Sequence, residues 1–401
     1  MSTVSQIAYT DSFVPRPQLN PPVVSFIVPC YNLGHLLGDC LQSILCQTYT
    51  HFEILIMDDC SPDNTPDVAR SFSDPRVIHI RNDKNLGHLR NYNKGIELSK
   101  GRYIWLISAD DSLRKPYVLS RYVDVLERNP EVGYVTCPAV CLEDGQEAGV
   151  MAHTLAPGTK DRIFTSREFL ELLLQSNIVP APATMARKQC YEQVSMFPLD
   201  LPYGGDWYLW SVFALQFDVA YLSEPMVYRR MHDKNVSRYF WSEGQTGLIH
   251  DEIEVPWRVK RHAEKQGRVD VTSLCDRLIA STYSRTILRH SEEKRQIGIT
   301  IEQFKHSVAD HANSSDEQKR ISSFVYATLA DGYFDRADFP QAENFYRSCL
   351  NLDPSSLAVW VKLGLTRLGT LGKQLKDFLG RTHRLLHHYR ALTKQSFGRN
   401  L

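Results

Sequence analysis

The sequence predicts an α/β fold followed by a helical region, and three observations carry the prediction. Between Val23 and about Ile107, short β-branched apolar runs alternate with segments whose apolar residues recur at helical spacing. Three of the apolar runs end in polar clusters, at Asn32, at Asp58-Asp59 and at Asp110-Asp111. From about Glu243 onward the β-branched runs disappear and helical spacing continues alone. Alternation at such short intervals points to a layered α/β domain with a largely parallel sheet.

Taken in order, residues 1–22 are polar, end in Pro15, Pro17, Pro21 and Pro22, and read as a flexible tail. Val23 to Val28 suits a buried strand. Leu36, Leu37, Leu41, Ile44 and Leu45 mark a helix, and Phe52 to Met57 a second strand stopped by Asp58-Asp59. A helix is expected after Asn64, a strand at Val77–Ile80, a helix from Leu86 to Ser99 and a strand from Tyr103 to Ile107. Ligands of such sheets bind beyond the carboxyl ends of the strands. Asn32, Asp59 and Asp111 should therefore converge on one edge. The expected division is a tail at 1–22, an α/β domain at 23–242 and a helical domain at 243–401. Within the last, Tyr326, Leu329, Ala330, Tyr333, Ala342, Tyr346, Cys349 and Pro354 fit a 34-residue tetratricopeptide unit, at about 320–370. An unrelated helical bundle is the alternative.

Composition excludes several classes. Hydrophobic residues make up 43% and charged residues 23%, which is globular rather than disordered. Basic and acidic residues number 46 each, so no bulk attraction to nucleic acid is expected. The nine cysteines lack C-x-x-C spacing and read as reduced thiols of a cytoplasmic protein. No secretion signal and no apolar run of membrane-spanning length is visible. Dinucleotide, P-loop, nucleophile-elbow and zincin motifs are absent from the sequence.

Several segments carry candidate chemistry. Asp110-Asp111, at a strand end, suit a hard cation such as Mg²⁺ or Mn²⁺ shared with substrate phosphates, or simply cap a helix. Asp59 is suited to accept a hydrogen bond from a base N–H such as that of uracil, with Tyr31 stacking on the ring. The alternatives are a turn and a strand-end aromatic. Asp206, in Gly204-Gly205-Asp206-Trp207, opens an apolar helical run, where the helix dipole favours its charged form. It is either a general base or an N-cap. His232 is a candidate for metal or diphosphate contact and Arg90 for pyrophosphate or base-edge contact, against surface charge in both cases.

As an ordered set, these segments resemble the inverting family 2 glycosyltransferases. The residues are VSFIVPCYN (24–32), LQSILCQTYTHFEILIMDDCSPDNT (41–65), NLGHLRNYNKGIELSKGRYIWLISADD (85–111), GGDWYLW (204–210) and YRRMHDKNVS (228–237). The resemblance spans about residues 23–240. It implies a GT-A fold, that is, a Rossmann-like nucleotide-diphospho-sugar transferase domain. It also implies transfer of a sugar from a nucleotide diphosphate, with a lean to UDP, onto a saccharide, lipid-linked or protein hydroxyl. In that family Pro29, Tyr31, Asn32 and Asp59 would line the nucleoside pocket, with Arg90 beside it. Asp110 would meet sugar or ribose, Asp111 would ligate Mn²⁺ or Mg²⁺, Asp206 would be the base and His232 would touch metal or diphosphate. Two departures stand out. Ser108 replaces the first aspartate of an Asp-Ala-Asp-Asp motif, and Gly-Asp-Trp stands where many members have Glu-Asp.

Two other functions compete with this one. A binding module that has lost catalysis has Ser108 as its support and Asp110, Asp111, Asp206 and His232 against it. A nucleotidyltransferase would need a Gly-rich loop where Pro29-Cys30-Tyr31-Asn32 stands. The helical region suggests protein partners through repeats. Residues 373–391, with Leu375, Phe378, Leu379, Leu385 and Leu386 among basic residues, suggest a peripheral contact at the inner face of a membrane.

Overall fold

The computed structural model describes residues 23–233, 235, 245–292 and 298–378. The chain divides into two compact units, Met1–Thr272 and Ser273–Leu401.

The first unit opens with β1 (Val24–Cys30), α1 (Gly34–Leu45), β2 (Phe52–Asp58), α2 (Thr65–Ser71), β3 (Val77–Arg81), α3 (His88–Leu98) and β4 (Tyr103–Leu106). Every residue of β1, β2 and β4 is buried, as expected of strands covered on both faces. The chain continues through β5 (Ser112–Leu113), α4 (Val118–Arg128), β6 (Val132–Thr136), β7 (Ala139–Glu143), β8 (Gln146–Val150), β9 (Arg162–Phe164), α5 (Ser166–Leu173), β10 (Thr184–Arg187) and α6 (Lys188–Gln193). It ends with α7 (Gly205–Gln216), β11 (Asp218–Tyr221), β12 (Val227–Met231) and α8 (Gln245–Lys265).

The main sheet has the order β3-β2-β1-β4-β10-β6-β11-β9. Its first four strands are parallel, as the alternation predicts. The other half is mixed, because β10 runs against both β4 and β6, and β9 against β11. On one face, Phe26 and Trp105 of the sheet stack in series with Tyr122 of α4, with ring centroids 5.4 and 4.4 Å apart, in a core shared with α1. On the other, α3 lies close enough that a methyl group on Gly95 would meet Ile27 Cγ2 at 2.5 Å. A second sheet, of order β5-β12-β7-β8, was not expected. Its strands are short and β8 is wholly exposed, so the apolar signal that marks the main sheet is missing.

α8 belongs to the first unit, beyond the expected division after residue 242. Asp251 on this helix accepts hydrogen bonds from the turn before α7, and Arg258 pairs with Asp200 at 2.6 Å. The helices that follow are α9 (Val269–Glu292), α10 (Ile301–His311), α11 (Ser315–Asp335), α12 (Phe339–Leu352) and α13 (Leu357–Arg367). In the second unit Ala330, Phe334, Ala342, Tyr346, Cys349, Leu350, Val359 and Leu363 form one apolar core. The expected tail at 1–22 and residues 379–391 of the basic stretch lie outside the described residues. Among the described residues no helix is long and apolar enough to cross a membrane. All nine cysteines are free.

Candidate active site

The carboxyl ends of β1, β2 and β4 open onto a cleft of about 440 Å³, lined by Pro29, Tyr31, Asn32, Asp59, Asn91, Tyr92, Ser108 and Asp110 among others. Asn32 turns the chain out of β1 with φ +57°, a conformation asparagine tolerates better than most residues. Its N–H donates to Ser61 Oγ at 3.1 Å. Tyr31 is 49% exposed at the mouth, an available face for a flat ring.

The paired aspartates after β2 have different tasks. Asp58 is fully buried and accepts from Arg81 Nη1 at 2.6 Å and from Ser61 N at 2.8 Å, with His79 Nε2 at 3.2 Å. Burial opposes its charge, but these bonds outweigh it and hold the carboxyl below the usual range. Asp59 lines the cleft. Its Oδ1 accepts from Asn82 Nδ2 and Leu86 N, both at 2.8 Å, and its Oδ2 from Gly87 N at 3.0 Å. The non-helical turn at Gly87 that presents those amides is why α3 starts at His88 and not at Leu86. Gly87, with φ +82°, makes the turn that a side chain would strain. Asn91 completes the network, accepting from Asn82 at 2.9 Å and donating to Met57 O at 2.8 Å.

The antiparallel pairing of β12 with β5 brings His232 to Asp110. Tyr228 lies opposite Ser112, so the chain beyond Tyr228 runs back past Asp111 and Asp110. Arg230 N donates to Asp111 Oδ1 at 3.0 Å. His232 Nε2 lies 3.0 Å from Asp110 Oδ2, and Asn235 Nδ2 donates to the same oxygen at 3.1 Å. Burial works against the Asp110 charge, but His232 and Ser108 together keep its carboxyl below the usual range. At Asp111, burial and the Asp110 charge push the carboxyl well above its ordinary value.

Asp110 Oδ1 is buried without a hydrogen-bond partner. An orphaned carboxylate oxygen beside a second carboxyl that is hard to ionise fits a divalent cation bound through few protein oxygens. Among the described residues no three His, Cys, Asp or Glu side chains are grouped to hold a metal by themselves. The donor set therefore suits an ion that takes its remaining ligands from phosphates and water.

A second cleft, of about 520 Å³, adjoins the first and shares His88, Tyr92, Ser108 and Asp110 with it. Asp111, Asp206, Arg229 and Asn177 line its other parts. Asp206 stands in the first turn of α7, where Oδ1 accepts from Trp207 N at 2.6 Å and Asn177 Nδ2 at 3.2 Å. Oδ2 makes no hydrogen bond among the described residues. The helix dipole predicts a charged, ordinary carboxylate here. Instead burial pushes the carboxyl up to about 6, against the pull of the Trp207 amide and Asn177. The turn before α7 is fixed from α3, with His88 Nε2 at 2.9 Å from Pro202 O and Asn93 bonded to both N and O of Phe197 at 2.9 Å.

Of the residues singled out in the sequence, Pro29, Tyr31, Asn32, Asp59, Asp110, Asp111 and Asp206 line the two clefts, and His232 reaches them through Asp110. Arg90 does not. It is exposed on α3 and lines neither cleft. Asn82, Asn177 and Asn235 were missed. So was Asn91. A run with three asparagines in nine residues (85–93) was the available signal, because asparagine is a poor helix former without a side-chain task.

A family model described as glycosyl transferase family 2 matches residues 25–195. The protein TuaG of Bacillus subtilis (strain 168), provisionally named a teichuronic acid biosynthesis glycosyltransferase, is 25% identical over 237 residues, covering 58% of this chain and 89% of that protein. The uncharacterized protein MT1568 of Mycobacterium tuberculosis (strain CDC 1551 / Oshkosh) is 30% identical over 224 residues, 53% of this chain and 69% of that one. Among solved structures, S. aureus TarS 1–349 in complex with UDP-GlcNAc matches with a TM-score of 0.56 at 16% identity, covering 82% of this chain and 90% of that chain.

Proposed function

Since this chain belongs to glycosyl transferase family 2, we propose that it moves a sugar from a nucleoside diphosphate, UDP first among the candidates, to a hydroxyl acceptor with inversion. The observation that carries the reading is the junction of the two clefts at Asp110, with Asp59 in one and Asp206 in the other. The first cleft takes the nucleoside, with Tyr31 against the base and Asp59 accepting from a base N–H. The second takes the sugar and the acceptor.

Asp206 Oδ2 removes the acceptor proton. A base whose carboxyl sits at about 6 is better matched to a hydroxyl than one at the ordinary 3.8, and is still ionised at neutral pH. The acceptor oxygen then attacks the anomeric carbon from the side opposite the diphosphate. Asp110 and Asp111 would hold Mn²⁺ or Mg²⁺, with His232 orienting Asp110. Such an ion supplies charge neutralisation to the departing diphosphate.

The name of TuaG supports an acceptor in polysaccharide or glycoconjugate synthesis. The free cysteines are compatible with a cytoplasmic reaction. We also keep two expectations for the helical region, a tetratricopeptide-like partner site at about 320–370 and membrane contact through 373–391. A thermal-shift panel of UDP, GDP and UDP-sugars with and without Mn²⁺ tests the central claim. UDP compounds should raise the melting temperature most, and more so with Mn²⁺, because a ligand that binds only the folded state stabilises it. No shift with any nucleotide would overturn the reading.

A further inference from the structure

The turn that carries Asp206 is anchored by a side chain outside the residues matched by the family model. Asp251 lies on α8 and is fully buried. Its Oδ2 accepts from Tyr203 N and from Gly204 N, each at 2.8 Å. These are the last two amides before α7, a helix without a side-chain cap of its own. A carboxylate there meets free donors and the positive end of the helix dipole. Packing leaves the turn no room to slide. A methyl group on Gly204 would lie 2.9 Å from Val255 Cγ2 and 3.1 Å from Asp251 Cβ, both on α8. The other Asp251 oxygen is 3.0 Å from Nδ1 of His250. Asp251 lines neither cleft, whereas Tyr203, Gly205 and Asp206 all line the second.

A buried carboxylate is costly unless its bonds are made. Here they are made to backbone, two and three residues before Asp206. We infer that Asp251 is a positioning residue for the reaction: it fixes the turn 203–205 so that Asp206 meets the acceptor hydroxyl. The inference rests on the reading of Asp206 as the base. It assigns α8, which the apolar pattern places with the helical region, to the catalytic unit.

The test uses the full chain with Mn²⁺ and UDP-GlcNAc as probe, following UDP release to water, together with amide hydrogen exchange over residues 200–208. Asp251→Ala should lower kcat by about 10- to 100-fold with KM for UDP-GlcNAc changed by less than about twofold, since a misplaced base costs rate and the nucleoside cleft is untouched. Exchange at Tyr203 and Gly204 should accelerate while β1 and β4 stay protected. Asp251→Asn keeps an oxygen for both amides and should restore kcat to within about threefold of wild type. Asp206→Asn combined with Asp251→Ala should be no slower than Asp206→Asn alone, as for two residues acting through one step. Unchanged exchange in Asp251→Ala overturns the inference without any need for turnover. So does a variant in which KM and melting temperature shift while kcat does not, which marks a purely structural residue. Full activity of Asp206→Asn sinks the base reading itself, whatever the Asp251 variants do.

Discussion

Replacing Asp206 with asparagine separates the cost of its charge from the use of that charge. Burial moves the carboxyl from 3.8 to about 6. At about 1.4 kcal/mol per pH unit, keeping Asp206 ionised in the folded chain costs about 3 kcal/mol relative to the unfolded one. A raised folded pKa contributes stability that is complete below 3.8 and is lost as the pH rises through about 6. At pH 7.5 the wild-type protein therefore carries the full cost and the Asp206→Asn variant carries none. The bonds from Trp207 N and Asn177 are already counted in that value, but partial exposure lets water screen the carboxylate and reduces the gain. The variant should then be more stable by about 1–2 kcal/mol, a rise of about 2–8 °C in melting temperature for a unit of this size. Turnover should fall by about 10²- to 10⁴-fold. The assay is thermal unfolding of both proteins without nucleotide or metal, at pH 7.5 and at pH 5. At the lower pH about half the gain should vanish, because the wild-type carboxyl is by then largely protonated in the fold. A variant that melts at or below the wild-type temperature at pH 7.5, or a gain indifferent to pH, would refute the reasoning.

Three further outcomes are expected. The kcat/KM of the wild-type enzyme should fall about tenfold per pH unit below about 6, as Asp206 takes up its proton, and level off above; a profile flat down to pH 4.5 counts against this base. Tyr31→Ala should weaken UDP by about 1–3 kcal/mol in calorimetry, the worth of one base–aromatic stack; unaltered affinity would mean that the exposed ring takes no part. Asp110→Asn removes the buried, orphaned carboxylate oxygen, so the UDP-induced thermal shift should lose its response to Mn²⁺. A response that persists would place the cation elsewhere.

Much of this was legible because strand ends in an α/β sheet are legible. Val24–Cys30 and Phe52–Asp58 are buried on both faces and mostly apolar, so their limits, and the polar residues at and just beyond them, stand out. What was hidden depends on partners distant in sequence. β5 and β12 are too short and too polar to announce a sheet, yet their pairing alone brings His232 to Asp110. Arg90 failed for a local reason. On α3 the buried positions are Leu89, Asn91, Gly95 and Ile96, and Arg90 falls on the opposite, exposed side. The Asp206 charge was misjudged because the helix dipole can be inferred from sequence, whereas desolvation requires knowing what covers the side chain.

The paired aspartates show where motif reading stops and geometry takes over. Both pairs look alike as sequence, and a carboxylate pair invites the idea of one shared ligand. At a strand end, however, successive side chains leave on opposite sides. Asp58 therefore turns to Arg81 and His79 across β3, and its charge is consumed within the fold. Asp59 turns to the amides of the 85–87 turn and lines the cleft. The second pair lies past the end of β4, in a turn closed by Asp111 N donating to Ser108 O at 2.9 Å, and neither member finds an arginine side chain at salt-bridge distance among the described residues. Among the described residues His232 is the one ion-pair partner of Asp110, while Asp111 accepts the Arg230 amide and feels the Arg229 and Arg230 charges without an ion pair. Asp58 is neutralised by Arg81 and Asp59 is satisfied by amides, whereas Asp110 keeps a buried oxygen without a hydrogen-bond partner beside a carboxyl that is hard to ionise. That difference, and not the repetition of the dipeptide, is the physical ground for assigning the cation to Asp110 and Asp111.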